Sequence, residues 1–305
     1  MKGILLAGGM SRRLYPATTP WVNKQFLPVY NKPMIYYPLS MMMLAGIRDI
    51  LVITTEEGGL VAQRMLGSGK QWGLHFEYAQ QKYPRGIADA FRVGNKFIEN
   101  EAVCLMLGDN IFHGHGMPAQ LQKAAELKKG AVVFAYAVKD PERYGVVEFD
   151  KERKAISIEE KPKNPRSNYA VPGIYFYDNQ ITDIVSSLVP SDRGELEITD
   201  VNNIYINKGQ LKVEIIGRGT AWLDAGTHEA LIQASNYIRT IEERQGILVA
   251  SPEETAYRMG YICYDALQAL LFDMPTGVEY SQRIAEIQKN EEVQCAWVRK
   301  RALQK

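Results

Sequence analysis

Residues 2–16 read KGILLAGGMSRRLYP, and the fold can be worked out from this stretch outward. The apolar run ending at Ala7 has the length of a strand, and Gly8 and Gly9 then turn the chain before two arginines, Arg12 and Arg13. A glycine-rich turn between an apolar strand and a basic segment offers backbone N–H groups, and a helix start beyond it favours anions. Yet Met10, Ser11 and Arg12 fill the turn where small residues would suit a phosphate. At this stage a plain tight turn explains AGG equally well.

The pattern after the turn repeats. GILLAGG, DILVITT, LHFEYAQ, AVCLMLGD and AVVFAYAV read as strands by length and by β-branched or aromatic content. Between them MIYYPLSMMMLAGI, GLVAQRMLG, GIADAFRVGNKFI and MPAQLQKAAELKKG carry helical spacing. Strand and helix at this interval imply right-handed βαβ units and a mostly parallel sheet covered on both faces. Unbroken apolar strands fit that double burial.

Further along, GVVEFD, AISIEEKP and YAVPGIYFYD are strands with polar alternation, so the sheet is expected to become mixed. Helices return at NQITDIVSSL and LEITDVNNIYINKG, and after LKVEIIGRG and AWLDAGT comes a long amphipathic helix stopped by Gly246. From about Pro252 the chain reads as short helices. The expected division is residues 1–250 as the main domain and residues 251–305 as a helical appendage that is not an independent domain.

The 305 residues carry 36 basic and 35 acidic side chains, a net charge of +1. No broad basic field exists to attract nucleic acid or anionic membrane, so phosphate chemistry must use a few placed cations. The three cysteines, Cys104, Cys263 and Cys295, form no C-x-x-C pair, and Cys104 in AVCLMLG reads as a buried, inert thiol. The first apolar run is too short for a signal or a membrane span, which points to the cytoplasm.

In doubly wound sheets ligands bind beyond the carboxyl ends of strands, and that rule selects five places. They are Gly8 to Arg13; Lys24 in a loop held by Pro28 and Pro33; Asp109 at the end of an apolar strand; Glu159, Glu160 and Lys161 closing another; and Asp224 before a glycine-containing turn. Each has an ordinary explanation when taken singly: a turn, a solvated lysine, a helix cap, a surface ion pair. Taken together, two strand-end aspartates suit one Mg²⁺, and Arg13, Lys24 and Lys161 suit the phosphates around it. That set serves phosphoryl or nucleotidyl transfer. A P-loop is excluded because no G-x-x-x-x-G-K-[ST] run occurs, and the G-x-G-x-x-G pattern of nicotinamide enzymes also fails in GGMSRR. His113 and His115 in NIFHGHG read as loop residues and poor zinc ligands.

These residues lie in longer segments that resemble the glucose-1-phosphate thymidylyltransferases, a branch of the sugar nucleotidyltransferases. KGILLAGG, RLYP, KQFLPVYNKPMIYYPLS, LGDNIFHGHG, DPERYGVVEFD, KAISIEEKP, RGELEITDVN and GRGTAWLDAGTHEALIQAS carry the likeness, which spans about Met1 to Gly260 and fades beyond. It implies an α/β fold, a Rossmann-like nucleotidyltransferase core with a mixed, mostly parallel sheet and a small C-terminal helical appendage. It also implies transfer of a thymidylyl group from dTTP to glucose 1-phosphate, with Mg²⁺ as cofactor. Asp109 and Asp224 would hold the metal, and Arg13, Lys24 and Lys161 would be the catalytic cations. Leu6, Gly8, Gly9, Met10, Ser11, Arg12, Arg13, Lys24, Gln25, Gln81, Gly86 and Asp109 would bind the nucleotide, Gln25 and Gln81 reading the pyrimidine edge. Asp109, Tyr144, Gly145, Glu160, Lys161 and Val171 would bind the sugar phosphate. A homotetramer with a separate regulatory nucleotide site is the family's usual form.

Several positions depart from the family pattern. Ser11 stands for a third glycine and Arg12 for a small hydroxyl residue; if that backbone needs φ > 0, Ser11 costs about 1–2 kcal/mol. Pro20 and Trp21 lengthen the loop before Lys24, Arg85 replaces an aspartate, Asp89 a glutamine and Ala225 a threonine. These changes keep two other readings open: a catalytically weakened nucleotide-binding regulatory paralogue, and a uridylyl- or cytidylyltransferase acting on another sugar 1-phosphate. A thymine methyl in an apolar pocket gives only about 10- to 200-fold discrimination, so sequence leaves thymidine and uridine unresolved.

Overall fold

In the computed structural model, which describes residues 1–9, 12–19 and 22–287, the opening segment forms strand β1 (Lys2–Ala7), buried from Gly3 onward. Pro28–Val29 (β2) and Lys32–Pro33 (β3) make a two-stranded hairpin before helix α1 (Tyr36–Leu44). Then come β4 (Asp49–Thr54), α2 (Glu56–Leu66), β5 (His75–Gln80), α3 (Asp89–Val93), α4 (Asn95–Ile98), β6 (Val103–Leu107), β7 (Asn110–His113) and α5 (Met117–Ala125). The middle holds β8 (Ala131–Ala137), β9 (Gly145–Phe149), β10 (Ala155–Glu160), β11 (Tyr169–Ala170) and β12 (Ile174–Tyr177). α6 (Ile181–Ser187), α7 (Ile198–Asn207), β13 (Leu211–Ile215), β14 (Ala221–Asp224) and α8 (His228–Gln245) follow, and α9 (Pro252–Arg258) and α10 (Tyr264–Asp273) begin the C-terminal helical region. Residues 279–287 are also helical.

One large sheet runs β10-β9-β11-β8-β12-β6-β1-β4-β5, with β13 beside β8. β5, β4, β1, β6, β8 and β13 point the same way, while β12 enters antiparallel between β6 and β8. Successive side chains of a strand face opposite sides of its sheet, and β1 shows the consequence. Leu5 and Ala7 join the core under α1, whereas Ile4 and Leu6 join the second core under α3, α4, α6 and α7. The mixed α/β architecture expected from sequence is what forms. α9 packs on α1, and Tyr261 Oη donates to the Met43 carbonyl at 2.8 Å.

Three local expectations are corrected. GIADAFRVGNKFI is two short helices, because the chain breaks at Gly94, where a Cβ would press on Ile4 and Leu51 at 3.1 Å. YAVPGIYFYD is two strands separated by residues 171–173, since Pro172 has no N–H for a ladder. His113 lies in a strand, β7, half-buried with its ring edge-on to Tyr237 at 6.0 Å; His115 is exposed. β7 pairs only with β14 among the described residues, Asn110 opposite Asp224.

Candidate active site

The carboxyl ends of β1, β4, β5 and β6 open on one edge of the sheet, and the loop of Lys24 is fastened there. Asn23, itself buried, donates from Nδ2 to the Ala7 carbonyl at 2.9 Å and accepts at Oδ1 from Thr55 Oγ1 at 3.2 Å. α2 makes room for it with Gly58, where a Cβ would fall 2.5 Å from Asn23 Nδ2. From this fixed root the Lys24 stem passes Gly9, and its ammonium donates to Asp109 Oδ2.

Asp109 follows β6, and Asp224 ends β14. The β7–β14 pairing sets Asp224 across from Asn110, next to Asp109, and the Ala225 N–H donates to the Asp109 carbonyl at 3.2 Å. Burial pushes the Asp109 carboxyl up, but the charge and hydrogen bond of Lys24, with Asn110 Nδ2 at 3.1 Å, hold it below the usual carboxylate range. Asp224 goes the other way: burial and the Asp109 charge raise it, and Lys24, Arg13 and Arg143 counter only part of that. Arg13 sits at Gly226, where a Cβ would meet its Nη2 at 2.8 Å. The buried Asp109 carboxylate and the half-buried Asp224 carboxylate thus repel each other, with Lys24, Arg13 and Arg143 around them.

These groups floor a cavity of about 320 Å³. Its walls include Tyr144, Gly145, Glu160, Lys161 and Val171, all expected from sequence. Glu160 accepts from Thr199 Oγ1 at 2.7 Å and pairs with Lys161 at 3.4 Å and Arg193 at 3.6 Å. Glu159, one residue earlier on β10, points to solvent. Lys161 adopts φ +46°, a left-handed conformation disfavoured for a residue with a Cβ, and its N–H donates to the Tyr144 carbonyl at 3.0 Å. Trp222 closes a wall, its ring 4.9 Å from that of Tyr144 and its Nε1 donating to Asn110 Oδ1 at 2.7 Å.

A second cluster lies beside this cavity, at the ends of β1 and β5. Gly8 lies against Gln81, where a Cβ on it would stand 3.6 Å from Oε1, and Gly108 lies against Leu6 and Gln25, where a Cβ would stand 3.0 Å from the Leu6 carbonyl oxygen and 2.8 Å from Gln25 Cγ. Gln25 Oε1 is buried with no hydrogen-bond partner among the described residues. Gln81 Nε2 donates to the Gly86 carbonyl at 3.1 Å and to Asp89 Oδ2 at 3.0 Å. Gly86 has φ +98° and lies so close to Leu196 that a Cβ would be 2.4 Å from its carbonyl oxygen.

Thus Arg13, Asp109, Tyr144, Gly145, Glu160, Lys161, Val171 and Asp224 surround one cavity, with Lys24 bound to its floor. Arg12 is exposed and is not among the residues lining it. Met10, Ser11, Pro20, Trp21 and Cys295 lie outside the described residues. Sequence reading missed Asn110, Arg143, Tyr175, Thr199 and Trp222 in the lining. Asn110 had a signal, since it follows Asp109 directly; Thr199 and Trp222 reach the site only through folding. Cys104 is fully buried, which pushes its thiol up, so it is inert as expected.

Strand-end carboxylates, a ring of cations and an adjoining polar cavity define a class of enzyme that transfers phosphorus groups. The chain matches the family model for nucleotidyl transferases over residues 2–241. A glucose-1-phosphate thymidylyltransferase of Xanthomonas campestris pv. campestris (strain B100) is 55% identical over 269 residues, 88% of this chain and 91% of that protein. One of Neisseria meningitidis serogroup A / serotype 4A is 51% identical over 289 residues, 95% of this chain and 100% of that protein, so similarity runs on past Gly260, where sequence reading saw it fade. Among solved structures, a Bacillus anthracis protein assigned as a glucose-1-phosphate thymidylyltransferase, in complex with sucrose, superposes with a TM-score of 0.72 at 43% identity, covering 78% of this chain and 95% of that one. A UDP-glucose pyrophosphorylase at 24% identity and TM-score 0.68 shares the fold. The chain belongs to the nucleotidyl transferase family and, within it, to the glucose-1-phosphate thymidylyltransferases.

Proposed function

We propose that this enzyme transfers the thymidylyl group of dTTP to glucose 1-phosphate, giving dTDP-glucose and pyrophosphate. The carrying observation is the neighbouring pair Asp109 and Asp224, the first buried and the second half-buried, with Lys24, Arg13 and Arg143 around them and opening on the cavity of Glu160 and Lys161. In this reading Glu160, oriented by Thr199, accepts hydrogen bonds from sugar hydroxyls, and Lys161 holds the sugar phosphate. A phosphate oxygen of the sugar attacks the α-phosphorus in line, the new P–O bond forms, and pyrophosphate leaves with the electron pair of the broken bond. Arg13 and Lys24 neutralise charge on the triphosphate as it shifts.

Two neighbouring hard carboxylates suit a divalent cation, and Mg²⁺ commonly takes one or two carboxylates plus substrate phosphates. Asp109 and Asp224 would hold it, and when bound it supplies charge neutralisation at the reacting phosphates. Gln81 and Gln25 would face the base. Residues 1–250 would form the catalytic unit and 251–305 its appendage, in the cytoplasm, as the residue pattern suggests; a homotetramer rests on the motif resemblance, and light scattering of the purified protein tests it.

The deciding experiment measures pyrophosphate release with glucose 1-phosphate, Mg²⁺ and each of dTTP, UTP, CTP, ATP and GTP. Highest turnover with dTTP is expected. Folded protein that releases none with any nucleotide overturns the reading.

A further inference from the structure

Asp89 stands where the resemblance leads one to expect glutamine, and its side chain is buried in the first turn of α3 against Gln81. A glutamine amide has two ends of nearly equal shape, one donating and one accepting, so shape alone does not decide which end meets a ligand. Here the surroundings decide. The Gly86 carbonyl at 3.1 Å and the Asp89 carboxylate at 3.0 Å both take hydrogen bonds from the same end of Gln81. Neither can donate, so that end is the NH₂ group and Oε1 faces the Gly8 turn, where a Cβ on Gly8 would stand 3.6 Å away. The Gln81 backbone is itself pinned, its N–H donating to the Thr54 carbonyl at 2.9 Å.

Resting on the reading that Gln81 faces the base, we infer that Asp89 is a positioning residue for nucleotide choice: it locks the Gln81 amide so that the site presents an acceptor. An acceptor pairs with the imide N3–H of thymine or uracil. Cytosine carries a bare N3 acceptor at the same place, which leaves two lone pairs facing each other. The Gly86 carbonyl already favours this orientation; a glutamine at position 89, with both a donor and an acceptor, would add no preference of its own, whereas the carboxylate adds a second partner that can only accept. The discrimination so built is against cytidine nucleotides, and it is separate from any contact with the thymine methyl.

The test is the ratio of kcat/KM for dTTP to that for CTP in the wild type and in Asp89→Asn, with folding checked by circular dichroism. The variant keeps the shape and removes the Asp89 half of the lock, leaving only the Gly86 carbonyl. Its dTTP/CTP ratio should fall roughly tenfold or more, through a raised KM for dTTP, with the KM for glucose 1-phosphate unmoved. In a Gln81→Ala background the same change at Asp89 should leave the ratio unaltered, whereas a merely structural effect on the loop would persist there. Asp89→Ser carries the same expectations if Asp89→Asn does not fold. A ratio within twofold of wild type in a folded variant, or an effect that survives in Gln81→Ala, overturns the role of Asp89 and leaves the proposed reaction standing. A wild-type preference for CTP over both dTTP and UTP overturns the lock and the base reading together.

Discussion

At Asp109 and Asp224 one residue type is set to two electrostatic states by its neighbours. Lys24 holds Asp109 ionised, and the Asp109 charge in turn raises Asp224. Opposite outcomes follow for stability and for activity. Asp224→Asn removes the repulsion, so the unfolding free energy in metal-free buffer should rise by about 1 kcal/mol, while pyrophosphate release falls about 10²- to 10³-fold. Urea titration and the pyrophosphate assay on the same preparation check both signs. Lys24→Met should do harm on both counts, because it leaves a buried carboxylate without its cation; a loss of about 3–5 kcal/mol is expected by the same titration. At this scale Asp109 and Asp224 were legible in the sequence as carboxylates at strand ends, and Arg13 and Lys24 only in combination with them, as cations of nearby loops. Thr199 and Trp222 were not, since nothing local distinguishes a threonine on a helix or a tryptophan on a strand from core packing.

Between elements, the small sheet of β7 and β14 matters most, because it sets Asp224 beside Asp109. Its strands are far apart in sequence, and one of them was read as a loop, so no local pattern foretold the pairing. The Asn23 latch is the second device, joining the Lys24 loop to β1 and α2. Asn23→Ala should lower kcat/KM at least tenfold while costing only about 1–2 kcal/mol of stability, because it frees the root of Lys24, the cation proposed to act on the triphosphate. Steady-state kinetics beside thermal unfolding separate the two effects. His113 at the end of β7 gives a pH signature. Burial lowers its pKa below the ordinary 6.5, so the unfolded chain takes up the proton first and stability is lost as pH falls beneath that value. In His113→Phe the urea midpoint should change less between about pH 7 and pH 5 than in wild type.

Across the whole molecule, the hairpin of β2 and β3 and the last turns of α8 are joined through a buried ion pair. Lys32 Nζ lies 2.6 Å from Glu242 Oε1, which also accepts from the Val249 N–H at 2.8 Å, and Asn31 Nδ2 donates to Glu242 Oε2 at 2.7 Å. Burial lowers the Lys32 pKa, and Glu242 restores part of it. Glu242→Gln keeps the shape and strands the lysine charge, so it should cost about 3–5 kcal/mol in a urea titration.

By itself the sequence determined most of the strands and helices, though not β7, the β2–β3 hairpin or the breaks at Gly94 and Pro172, and that the strands lie in a mixed sheet covered on both faces. Those properties follow from apolar period and run length, which are local. It also marked the charged residues at strand ends. Tertiary structure alone decided which of them come together, that Asp224 is the raised carboxylate, and that the Gly86 carbonyl and Asp89 hold one end of Gln81. Those outcomes depend on distances of a few ångströms between side chains brought together from separate elements, and electrostatic energy is set by that separation and by burial.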